Sequence, residues 1–145
     1  MLRIEQPSTA ERGRIRSMDT TEKMAVAMTV ERVLVGAAAI AVPGPLLTTF
    51  GAPAELNNPA LRYTTRLFGI RNVALGLQVW GARNDPARLR ELAGQNAAVE
   101  LTDMVAGSAL MVGDTPLRGP GLAVMATSIS VATGFLTLRA LAGRG

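Results

Sequence analysis

Two arginines, Arg66 and Arg71, sit inside an apolar stretch at residues 63–82, and two carboxylates, Glu100 and Asp103, sit inside a second at 97–113. Burying an unpaired charge in hydrocarbon costs several kcal/mol, so charges on segments of this length are rare and call for partners or water. Glu100 and Asp103 are close to one helical turn apart and share a face. Two carboxylates so placed can act as acid and base. The sequence offers them neither a nucleophile nor a metal motif, and no catalytic residue is assigned. Three readings of the four charges stay open. They are an ion pair that holds two helices in register, a polar pocket for a small molecule, lipid headgroup or ion, and a membrane enzyme acting on lipid.

Helix geometry narrows the pairing. Arg66 and Arg71 differ by about 140° around a helix and do not share a narrow face. Arg66 is about a turn from the end of its segment and can snorkel to headgroups. Arg71 lies roughly 15 Å along from Leu61 at the helical rise, so it is expected to face the bundle interior. Asn72 follows it, and Gln78 lies two turns on along nearly the same face; both are candidate hydrogen-bonding groups. Asp103 should reach a similar depth on a helix running the other way. The expected arrangement is therefore an Arg71–Asp103 ion pair. Glu100 meets Arg32 or water, and is the member most open to being left over. Seven residues form this candidate polar set: Arg71, Asp103, Glu100, Arg66, Asn72, Arg32 and Gln78.

The elements that must carry these groups are read from apolar length. The 145 residues are 48% hydrophobic, 18% charged and 3% aromatic, with 15 Gly, a balance that favours an integral membrane protein over a soluble bundle. Four segments are long enough to cross a bilayer, at about 24–42, 61–81, 96–112 and 122–142, giving an all-α, four-span antiparallel transmembrane bundle. Residues 1–22 form a polar tail without a signal peptide, residues 23–145 the transmembrane domain, and Met18 is an alternative start. Pro43-Gly44-Pro45 ends the first helix near Val42 and leaves 46–50 as an interfacial turn. Residues 51–61 are a loop. Residues 82–95 form a polar connector in which Asp85-Pro86 starts a short surface helix. Met24, Met28, Met104, Met111 and Met125 are flexible core filler.

Lys and Arg concentrate on one side of this topology: Arg3, Arg12, Arg14, Arg16, Lys23, Arg83, Arg88, Arg90, Arg139 and Arg144 against Arg62 and Arg118. The positive-inside rule then places both termini in the cytoplasm, in the plasma membrane. The same topology accounts for the net charge of +4 without nucleic acid. The absence of Cys and His excludes thiol chemistry, histidine-ligated zinc or haem and a Ser-His-Asp triad; no cofactor or metal is assigned. Glycines mark helix contacts: Gly36 on the first span, Gly69 and Gly76 a heptad apart on the second, Gly107 on the third and Gly134 on the fourth. Glycines in the turns follow no strand, so no dinucleotide fingerprint exists.

The run Arg66-x-x-Gly69-x-Arg71-Asn72-x-x-Leu75-Gly76 resembles the Arg-x-x-Gly-x-Arg-Asp/Asn-x-x-Leu-Gly signature of small four-helix membrane proteins that are common in actinobacteria and occur in fungi. Pro45, Phe50-Gly51 and Asp103 fit the same pattern, over residues 28–142. The resemblance implies the four-helix membrane fold and carries no assigned activity. The function expected first is a non-enzymatic accessory or structural subunit that associates with itself or with a larger membrane complex. The alternative is a binding or transport module for a small molecule, lipid or ion, built on the buried polar groups.

Overall fold

In a computed structural model, which describes residues 18–112 and 115–144, the chain is all-helical. Helix α1, Thr20–Ala41, starts where the Asp19 side chain accepts a hydrogen bond from the Glu22 amide at 2.7 Å, a standard N-cap. It stops at Val42 because Pro43 cannot donate to the preceding turn, and the chain restarts at once as α2, Pro43–Thr49. Gly51, at φ 80°, ends α2 in the left-handed conformation glycine adopts without penalty. The Ala52 amide donates to the Leu47 carbonyl and the Gly51 amide to Thr48, at 3.0 and 2.9 Å, which closes a Schellman turn. A single 3-10 turn, Ala54–Leu56, leads to α3, Pro59–Gly81, capped by Asn58. Asp85 caps α4, Pro86–Ala109, and α5 runs Arg118–Ala142.

These helices form two hairpins that follow each other in the chain. In the first, Gly36 of α1 meets Gly69 of α3, while Thr29, earlier in α1, donates its hydroxyl to the carbonyl of Gly76, later in α3. The two helices are therefore antiparallel. A Cβ on Gly36 would lie 2.6 Å from the Gly69 carbonyl oxygen, and one on Gly69 would lie 2.6 Å from that of Gly36, so only bare backbone permits the approach. In the second hairpin Gly107 of α4 and Gly121 of α5 cross as closely: a Cβ on Gly121 would sit 2.6 Å from the Gly107 carbonyl oxygen.

Between hairpins the contact is uneven. At the end where α1 and α4 begin and α3 and α5 finish, Ala25, Met28, Val79, Ala82, Leu89, Leu92, Ala93, Ala97, Phe135, Leu138 and Ala142 form one apolar core. α5 also presses on α1, where Gly134 leaves room for the Met28 sulfur. Toward the other end the hairpins part, and α2 lies across the opening.

Several boundaries differ from the sequence reading. The 46–50 turn is part of α2. The surface helix and the third span are one rod, α4, of about 36 Å at the helical rise, because no proline or turn separates Gln95 from Asn96. The tail assigned to 1–22 overlaps α1 from Thr20; its first 17 residues lie outside the described part. The four-span count is the finer matter. α1 and α5 are long and apolar enough to cross a membrane. α3 and α4 match them in length but carry the charges described next.

Candidate functional site

Arg32, near the middle of α1, is 1% exposed. Its Nη1 donates to Asn72 Oδ1 of α3 at 2.6 Å, and its Nη2 to Glu100 Oε1 of α4 at 2.5 Å. The guanidinium lies 4.9 Å from the centre of the Phe135 ring on α5. One side chain thus touches all three other long helices. Asn72 is oriented by its own Nδ2, which donates to the Phe68 carbonyl at 3.0 Å. A planar guanidinium suits this fork of acceptors, whose geometry an ammonium cannot match, and its cation is favoured over the aromatic face. Asn72 and Glu100 are themselves 4% and 5% exposed, so the cluster is buried between the helices.

A second pair lies beside it. Arg71 of α3 donates from Nη1 and Nη2 to the two carboxylate oxygens of Asp103 on α4, at 3.2 and 2.6 Å. Its guanidinium lies 5.1 Å from the Phe68 ring. This pair is looser: the side chains are 40% and 18% exposed. α3 and α4 scarcely pack, so the long arginine crosses a gap instead of filling a seam.

The remaining candidates fall outside. Arg66 is exposed and donates from Nε to the Ile40 carbonyl at 3.3 Å, on the last turn of α1, where the helix presents partial negative charge. Gln78 is exposed and lines neither site nor cavity. It lies two turns beyond Arg71 on α3 as expected, but no side-chain partner meets it among the described residues. Glu100 meets Arg32, one of the two partners expected for it, and so is not left over; it is the more deeply paired of the two carboxylates on α4. Arg71, expected to face the interior, is the more exposed of the two paired arginines.

The leftover carboxylate is Glu31, absent from the candidate set. It is half-buried, and its Oε2 is fully buried with no hydrogen-bond partner among the described residues. The adjacent Arg32 also keeps an unpartnered Nε. The sequence signal was present: an acidic residue inside the first apolar segment, next to the only arginine there. Glu31 lies within the 24–42 segment beside Arg32, and of the two only Arg32 entered the candidate set.

Glu31, Arg32, Asn72, Glu100 and Asp103 line one cavity of about 280 Å³ between the hairpins. Its walls are apolar: Val35 of α1, Leu46, Leu47 and Phe50 of α2, Phe68 of α3, and Val124 and Val131 of α5. Thr65 also lines it but is occupied, donating to the Leu61 carbonyl at 2.8 Å. With the Arg71 that holds Asp103, the charges near the cavity are three carboxylates and two guanidiniums. Two of the carboxylates are matched one to one, and the third is not. Among the described residues no group of three potential metal ligands converges. No protein-family profile, curated protein or solved structure matches the chain.

Proposed function

We propose that this chain is a four-span protein of the plasma membrane, with both termini in the cytoplasm, that binds a small molecule in the cavity between its hairpins and catalyses no reaction. The cavity carries the reading. Apolar walls joined to a few convergent polar groups are the usual make-up of a small-molecule site, and a register pair alone requires no such space. Lipid-facing surface supports the four spans: Leu34 on α1, Leu67 and Ile70 on α3, Leu101 and Val105 on α4, and Leu136 on α5 are all exposed. The first turns of α4, with exposed Arg88, Arg90, Glu91 and Gln95, then stand in the cytoplasm below the bilayer. The run from Arg66 to Gly76 gains a physical sense in this setting. Gly69 and Gly76 seat α3 on α1, while Arg71 and Asn72 supply polar groups to the centre, which supports the resemblance to the small four-helix membrane proteins.

The chain has no Cys, so single cysteines report topology cleanly. Ala54→Cys should react with an impermeant maleimide on intact cells and Gly143→Cys only after lysis; the reverse pattern overturns the orientation. Native mass spectrometry from mild detergent tests binding, since a bound small mass should be lost when Val124→Trp fills the cavity. Exposed apolar faces on all four long helices also favour the accessory-subunit reading. Co-purification of a stoichiometric membrane protein, with an empty cavity, would establish that reading instead.

A further inference from the structure

Resting on the cavity-binding reading, we propose that the ligand is a monocationic amphiphile, an organic ammonium on an apolar body, and that Glu31 is the counter-charge that receives its head. Every other formal charge at the cavity is spoken for. Arg32 and Glu100 neutralise each other at 2.5 Å, and Asp103 holds Arg71 through both oxygens. Among the described residues Glu31 is the one carboxylate that lines the cavity with a buried oxygen, Oε2, lacking a hydrogen-bond partner. A carboxylate withdrawn from water without a partner is strongly disfavoured unless it gains a proton or a cation. A neutral or anionic ligand would leave that deficit in place or deepen it.

The surroundings choose among cations. A bare metal ion needs several oxygen ligands at short range, and the described carboxylates do not converge into such a group. Space and wall chemistry fit an organic body instead. A cavity of about 150 Å³ accepts benzene, so 280 Å³ suits a molecule of roughly ten to twelve non-hydrogen atoms. Phe50 and Phe68 among the lining residues are suited to an aromatic or alkyl body, and an aromatic face also tolerates a nearby ammonium. Selectivity follows from arrangement: the Arg32 beside Glu31 has its charge balanced by Glu100, so its unpartnered Nε can serve a neutral acceptor but leaves no net positive charge for an anion.

Three probes of one shape separate charge from shape: phenylbutylammonium, phenylbutanol and phenylbutanoate, titrated against the full-length protein in mild detergent by calorimetry and thermal unfolding. The ammonium should bind at least about tenfold more tightly than the alcohol, equivalent to roughly 1.4 kcal/mol, and the carboxylate should not bind. Glu31→Gln should bring the ammonium down to the level of the alcohol and leave alcohol binding unchanged. Glu31→Asp should keep the preference in weakened form, a control for loss of folding. Equal binding of ammonium and alcohol, or a preference that survives Glu31→Gln, overturns the role of Glu31 and leaves the cavity standing. Binding of none of the three, with no response to Val124→Trp, overturns both.

Discussion

Two arginine–carboxylate pairs join the same two hairpins, a few ångströms apart in sequence register, and they are built differently. Arg32 is buried, forked between Asn72 and Glu100 and backed by Phe135; Arg71 grips Asp103 with two bonds yet remains 40% exposed. The number of hydrogen bonds is similar, so bonding does not separate them. Packing does. α1 is pressed between α3 and α5 and carries Arg32 into the centre, whereas α3 meets α4 only across a gap. The lesson is that depth along a helix, which is visible in a sequence, is a poor guide to burial around it.

The contrast sets a ranking of effects. Arg32→Met, which strands Glu100 without its counter-charge, should destabilise by about 3–5 kcal/mol, seen as a collapse of the thermal midpoint and loss of the monodisperse peak in gel filtration. Arg32→Lys should recover only part, since an ammonium cannot reproduce the planar fork. Next comes a change that touches neither pair: Gly36→Val forces α1 away from Gly69 and should cost about 1–3 kcal/mol, read by chemical unfolding in micelles. Replacing Arg71 and Asp103 together by Leu should change stability by less than about 1 kcal/mol, since exchanging the pair whole for apolar groups leaves no charge unpaired. A double-mutant cycle makes the comparison quantitative, and equal coupling energies for the two pairs would sink the distinction drawn here. The smallest effect belongs to Glu31→Gln. It removes a charge that has no partner, so the thermal midpoint without ligand should hold or rise slightly; a large drop would mean that Glu31 is structurally engaged.

Much of the helical frame could be read from residue order. Asp85 before Pro86 announces a helix start by chemistry that acts within one turn, and it caps as its type suggests; Asn58 before Pro59 caps α3 in the same way, inside the stretch 51–61 read as a loop. Gly69, Gly76 and Gly36 are small at helical spacing, and they sit at the α1–α3 crossing. The Arg71–Asp103 partnership followed from helix direction and depth. What could not be read depended on rotation and neighbours. Burial of Arg32 needs Phe135, more than a hundred positions away, on the correct face of α5. The isolation of Glu31 appears only once every other charge has been matched. Gln78 shows the converse, a residue two turns beyond Arg71 as expected with no side-chain partner among the described residues.

Both arginines belong to the first hairpin and both of their carboxylates to the second, and this has a consequence for biosynthesis. During translation α1 and α3 are complete before α4 emerges. Until then Arg32 and Arg71 stand in the nascent hairpin without the acidic groups of α4, and a cation in apolar surroundings without its counter-charge is costly. Arrival of α4 supplies both counter-charges in one step, so docking of the second hairpin on the first is drawn forward by charge as well as by apolar contact.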